Sequence, residues 1–130
     1  MKKNDDSIRP QPPTPDLQSR DRMVALSIRQ PYAEMILRGV KPIEFRSMPT
    51  RKRERVYIYA SKIPADDQKA WEAIGAEPGD FTVGRLVGTV EIIACSGRPG
   101  DFHWHLARPQ RLDEPLPVRN KPQPMFFYPF

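Results

Sequence analysis

The sequence predicts an α+β domain: a small, β-barrel-like, partly closed fold made of several short strands with a few short helices. Three observations lead there. Apolar residues alternate with period two over residues 23–28, 42–46, 56–61 and 84–95. Only residues 31–38 and 64–74 carry helical spacing. Prolines and glycines then break the last third of the chain into short pieces.

Each element has a local reason. In the first strand Val24, Leu26 and Ile28 alternate with Ala25 and Ser27. Pro31 suits the first turn of a helix, where its missing N–H would be unpaired anyway, and Gly39 suits the position just past the end. Between them Ala33, Ile36 and Leu37 form an inward face. The period then returns to two, with Ile43 and Phe45 on one side and Glu44 and Arg46 on the other. Val56, Ile58 and Ala60 alternate with Tyr57, Tyr59 and Ser61 in a third strand. A second helix over 64–74 has Ala65, Ala70, Trp71 and Ile74 as apolar contacts and ends near Gly75. Gly84 and Gly88 in the long strand 84–95 point to a bulge or barrel corner. Residues 97–100 read as a loop. Strand pieces at His105, Leu106, Leu112 and 116–118 are interrupted by prolines that belong on edges or in turns, and 125–128 closes the sheet.

A chain of 130 residues carries one domain. Residues 1–22 hold Pro10, Pro12, Pro13 and Pro15, no aromatic residue, five basic and four acidic side chains. Such a segment cannot bury enough apolar surface to offset its ordering entropy, so it reads as a disordered tail preceding a domain at 23–130. A polyproline recognition motif is the other reading of this short run. No apolar run is long enough to span a bilayer, and the start lacks a signal core. One cysteine, Cys95, excludes an internal disulfide framework; a cytoplasmic setting with Cys95 as a small core residue is expected.

The charge is unevenly spread. From Arg38 to Arg55 seven basic residues (Arg38, Lys41, Arg46, Arg51, Lys52, Arg53, Arg55) stand against Glu44 and Glu54, a surplus equal to the chain's net +5. A localised basic patch is the electrostatic footprint of a polyanion partner; its bland counterpart is a solvated loop that keeps the protein soluble.

Ser27, Gln30, Pro31, Tyr32, Ala33, Gly39, Lys41, Glu44 and Arg46 fall in the spacing Ser-x-x-Gln-Pro-aromatic-Ala, then Gly-x-Lys-x-x-Glu-x-Arg. This run resembles the signature of the ASCH domain (activating signal cointegrator homology), a branch of the PUA-like superfamily. Tyr32 replaces the usual tryptophan, and Asn120 replaces a late glycine while still tolerating a left-handed turn. The resemblance extends over about 23–130 and implies a PUA-like barrel of mostly antiparallel strands, without a cofactor. It also implies a groove that receives a nucleotide, since PUA-type members bind RNA.

On that basis the expected nucleic-acid contacts are Ser27, Gln30, Tyr32, Lys41, Glu44, Arg46, Arg51, Lys52 and Arg53. Lys41 can hold a phosphate or a base edge, Arg46 a phosphate or guanine edge, and Glu44 can accept from an exocyclic amine such as that of cytosine. An ion-pair network that merely orders the loop is the competing reading. Tyr57, Tyr59 and Trp104 could stack bases but are more readily core; Tyr32 is the preferred stacking surface. Expected partners are single-stranded RNA, another nucleic acid or a nucleotide, with no membrane, and a protein partner as a third possibility.

An enzymatic alternative stays open. One ASCH branch is similar in carrying Lys-x-x-Thr plus a strand glutamate and hydrolyses the acyl group of N4-acetylcytidine; ribonuclease activity is also attributed to the family. The matching positions are Lys41 and Glu91, but Glu44 stands where the threonine nucleophile would be, as in coactivator-type members. Were the chain an enzyme, Lys41, Glu44 and Glu91 would be its catalytic candidates. Glu91, placed on the strand face of Val87, Thr89, Ile93 and Cys95, is expected either to be desolvated with a raised pKa or to pair with Lys41 or Arg85. Asp101, His103 and His105 alternate, with Trp104 pointing away, a spacing that permits a metal site or paired histidines. The resemblance does not support a metal, and none is expected.

Overall fold

A computed structural model of the chain describes residues 22–130; the expected tail lies outside the described residues except for Arg22. The order of elements is β1 (Ala25–Ile28), α1 (Tyr32–Leu37), β2 (Ile43–Arg46), β3 (Arg55–Ala60), α2 (Gln68–Ile74), β4 (Arg85–Arg98), β5 (Asp101–Leu116) and β6 (Phe126–Phe127). The six strands form one sheet in the order β2-β5-β4-β3-β1-β6. Only β1 and β3 run parallel; every other pairing is antiparallel. Among the described residues no helix is long and apolar enough to cross a membrane.

The sheet is not closed by hydrogen bonds between its edge strands, yet its edges meet. Trp104 on β5 stacks on Phe126 of β6 at 5.6 Å, and Arg46 Nη2 on β2 donates to the Ser27 carbonyl of β1 at 2.7 Å. The curl encloses a core that includes Leu26, Ile28, Ile36, Ile58, Val90, Ile92 and Trp104. A second cluster, Ala25, Tyr57, Tyr59, Leu86 and Phe127, covers the opposite face of β1 and β3. The expected alternation in those strands is present, but both faces are buried, as befits strands in mid-sheet.

Local chemistry explains the helices. Gly39 takes φ +79° just past α1, and the amides of Gly39 and Val40 close on the carbonyls of Ile36 and Met35. Asp67 caps α2 by accepting from the Ala70 amide at 3.1 Å, which starts that helix at Gln68 rather than at Pro64. Gly75 ends it at φ +69°.

Residues 101–116, expected as separate pieces, form one long strand. β2 covers only residues 102–105 of β5, so Pro109 and Pro115 lie where that side of β5 is a free edge. The loop expected at 97–100 shrinks to the turn around Pro99 and Gly100, with Gly97 and Arg98 in β4. Among the described residues Arg108, at φ +52°, is one of two non-glycine left-handed residues, the other being Met125 at +62°. Asn120 is not; its side-chain amide instead donates to the carbonyls of Tyr128 and Phe130.

Gly88 marks the expected corner. The register of β4 shifts between Leu86 and Gly88 against β5, and β3 shifts opposite it at Ile58 and Tyr59. A Cβ at Gly88 would lie 2.4 Å from Leu37 Cδ2 and 2.6 Å from the Gln110 carbonyl oxygen. The side chain can yield; the carbonyl cannot without moving β5. Gly88→Ala should therefore lower folding stability by about 2 kcal/mol, read from the denaturant midpoint.

α1 is anchored to β5 by charge. Glu34 is buried and receives Arg111 Nη1 and Nη2, each at 2.9 Å, and Arg38 Nε at 2.7 Å. Burial is the largest influence and raises its pKa, but the hydrogen bonds from Arg111 and Arg38 together outweigh it and leave the carboxyl below its ordinary 4.5. A lowered folded-state pKa stabilises the fold above the unfolded value, and this contribution is lost as pH falls through the folded value. Chemical denaturation from about pH 5 to about pH 3 should therefore show a steeper loss of stability for the native chain than for Glu34→Gln.

Candidate functional site

Where the edges of the sheet meet, a cavity of about 640 Å³ opens. Its walls come from β1 (Ser27), α1 (Tyr32), β2 (Glu44, Arg46), β3 (Tyr59) and the chain before β6 (Gln123, Met125). Every element from the signature run through β3 therefore contributes.

β2 turns its charges inward. Phe45 is 57% exposed, whereas Glu44 is only 6% exposed. The alternation foreseen in this strand exists, with the apolar side facing water and the polar side facing the cavity. Such a carboxylate needs compensation. Arg46 Nε donates to Glu44 Oε2 at 2.9 Å, and Lys41 Nζ lies 3.8 Å from Oε1. The second contact is too long for a hydrogen bond, so Oε1 keeps acceptor capacity. The Arg46 guanidinium also lies 5.5 Å from the Trp104 ring, between the ion pair and the core.

Lys41 buttresses the site without lining it. Its ammonium donates to the Ile43 carbonyl at 2.9 Å and lies 5.2 Å and 5.0 Å from the rings of Tyr32 and Phe45. Tyr32 donates to Asp67 Oδ2 at 2.5 Å, tying α1 to the cap of α2. Burial first, then that hydrogen bond, pushes its pKa up to about 12. Its hydroxyl is engaged, and its ring forms the cavity wall.

Gln30 is buried at 2% exposure, and both ends of its amide are used. Nε2 donates to the Thr82 carbonyl, and Oε1 accepts from the Glu34 amide at the start of α1. It shapes the loop under the cavity and is not among the lining residues. Of the basic loop, Arg53 donates to the carbonyls of Thr50 and Lys52, and the Lys52 ammonium lies 5.2 Å from the Phe126 ring. None of Arg51, Lys52 and Arg53 lines the cavity.

Glu91 corrects the sequence reading. It pairs with Arg108 and Arg55, not with Lys41 or Arg85, and does not line the cavity. The Arg108 hydrogen bond, foremost, sets its pKa below the ordinary carboxylate value and not above it. Register shifts in β4 also change the shared face: Ile93 is exposed while Val87 and Thr89 are buried. The alternating histidines do not converge either. His103 lies 3.4 Å from Asp101 and packs on Phe45, while His105 Nε2 meets Ser96 Oγ at 2.8 Å. Among the described residues no group of three histidine, cysteine or carboxylate side chains could hold a metal.

Arg29, Lys62 and Lys121 also line the cavity and were not foreseen as site residues, and Tyr59, read more readily as core, lines it too. Arg29 follows β1 and was legible as its next charged residue; the others arrive through sheet curvature. Tyr57, Tyr59 and Trp104 are core, as the sequence favoured.

The ASCH domain family model matches residues 26–115. The chain belongs to the ASCH domain family. Its curated relatives include Activating signal cointegrator 1 of Homo sapiens, 32% identical over 80 residues, covering 54% of this chain and 14% of that protein. The Mus musculus protein of the same name is 34% identical over 122 residues, covering 75% of this chain and 21% of that one. The chain thus spans about a fifth or less of these relatives. Among solved structures, the ASCH protein of Zymomonas mobilis superposes with a TM-score of 0.55 at 17% identity, covering 82% of this chain and 86% of that one. A point mutant of it gives the same TM-score at 15% identity, covering 80% and 88%. These likenesses establish the ASCH fold, a sheet-dominated, barrel-like α+β architecture.

One wall residue of this ASCH domain is unusual. The Tyr59 hydroxyl is buried and has no hydrogen-bond partner among the described residues, and burial raises its pKa. A buried orphan hydroxyl is destabilising. Tyr59→Phe should accordingly raise folding stability by about 1 kcal/mol, visible as a higher denaturation midpoint.

Proposed function

We propose that this ASCH domain binds single-stranded RNA, taking one nucleotide into the cavity where the sheet edges meet. The observation that carries the reading is Glu44, the single carboxylate lining the cavity among the described residues, buried in a wall otherwise charged by Arg29, Arg46, Lys62 and Lys121. A carboxylate is acceptor-only and suits the exocyclic amine of a base, with cytosine as the simplest case. The cations suit phosphate. A ligand carrying an amine edge and a phosphate together is a nucleotide. The volume is that of a small-ligand site. Tyr32 supplies an aromatic wall on which a base can stack.

The ASCH family's association with RNA binding supports RNA as the polymer. The acyl-cytidine hydrolase reading draws no support from this site: a glutamate occupies the nucleophile position, and Glu91 is engaged with arginines outside the cavity.

Fluorescence anisotropy with an eight-nucleotide labelled RNA of mixed sequence tests the reading. Binding should weaken as salt rises, and Glu44→Gln should cost tenfold or more in affinity, on the order of one charged hydrogen bond. Arg29→Gln, an exposed change, should lower the salt slope by about 0.7 with an unchanged thermal midpoint. Equal affinity for the native chain and Glu44→Gln, or no salt-dependent binding, would sink the proposal.

A further inference from the structure

A second cavity of about 770 Å³ adjoins the first, sharing Tyr59, Lys62, Lys121 and Pro122 as a common wall. Among the described residues its charged lining is Lys62, Arg85, Arg119 and Lys121, with no acidic residue. These cations come from three places in the chain: just after β3, the first residue of β4, and the segment after β5. Among the described residues none of the four side chains makes an ion pair or a hydrogen bond. That contrasts with Arg38, Lys41, Arg46 and Arg55 of the basic window, each of which pairs with a carboxylate.

We propose that this second cavity is the phosphate-binding extension of the first. It holds the sugar-phosphate backbone flanking the nucleotide bound beside Glu44, and so rests on the RNA reading above. Four like charges gathered with no acidic side chain in the lining repel one another, and a polyanion relieves that repulsion. The fold also holds the segment carrying two of them. The amides of Arg119 and Asn120 donate to the Pro129 carbonyl, and the Asn120 side chain donates to the carbonyls of Tyr128 and Phe130. Arg119 and Lys121 are therefore displayed from a fixed backbone, which limits the entropy lost on binding. The shared wall sets the two cavities side by side, within reach of adjacent nucleotides of one strand. Residues 117–122 lie beyond the family match, so this extension draws on chain outside the matched core.

Arg85→Gln/Arg119→Gln isolates the extension, because neither residue lines the first cavity. Affinities for the eight-nucleotide RNA and for cytidine monophosphate are compared by titration calorimetry across a salt series, with thermal midpoints confirming folding. If each cation neutralises one phosphate, the double variant loses about 1.4 from the salt slope and about 25-fold in octamer affinity at 0.1 M salt. Mononucleotide affinity stays within about twofold, since that ligand does not reach the extension. An octamer that binds the native chain and the double variant equally overturns the extension while leaving the first cavity's role intact; the cations would then face another partner, such as an acidic protein. A native chain that binds neither RNA nor mononucleotide removes both proposals.

Discussion

The clamp of Glu44 by Arg46 is the interaction on which the rest of the arrangement depends. β2 and β1 are not hydrogen-bonded neighbours, yet Arg46 reaches the Ser27 carbonyl on β1 while gripping Glu44 on its own strand. One guanidinium thus joins the two sides of the opening and orients the carboxylate that characterises it. Arginine suits this role because its planar fork serves two acceptors at once. Trp104 backs the guanidinium and carries the contact on to Phe126, so the seam of the barrel and the wall of the cavity are one structure. A curled sheet left open at this point is what leaves the cavity.

The same physics redistributes the positive charge. The basic window looked like a surface for a polyanion, but four of its seven cations neutralise carboxylates within the fold. A carboxylate that leaves water requires a partner, and the nearest arginine or lysine supplies it. Glu34 recruits two arginines from different elements in this way, and Glu91 two more. Among the described residues, the unpaired cations that line the second cavity, Lys62, Arg85, Arg119 and Lys121, are scattered along the chain and form no run. Charge density along a sequence and charge density on a surface are different quantities.

Much of the architecture was legible because it rests on local rules. Gly39 and Gly75 end helices in the left-handed conformation that glycine adopts most readily, and Gly88 sits at the corner its place in a long strand suggested. The alternation in β1 and β3 identified real strands. What escaped was set by register and by distant partners. Three shifts between β4 and β5 change which side chains share a face, so the neighbours of Glu91 could not be counted off in twos. β5 looked fragmented because its prolines suggested breaks, but β2 is short and leaves them an edge to occupy.

The spacing of the signature run was sufficient to name the family, the barrel-like class and the residues most worth watching, since a turn glycine, a helix start and a period-two strand are short-range features. It also put Ser27, Tyr32, Glu44 and Arg46 on one list, and the cavity gathers all four. Tertiary structure alone decided that Gln30 holds the loop and that Lys41 stands behind the wall. It also decided that the charged side of β2 turns inward, and that Lys121 joins the cavity from about 75 residues beyond β2. The reason is physical: a strand's two faces are equivalent until the sheet curls, and the curl is set by contacts between residues far apart in the chain.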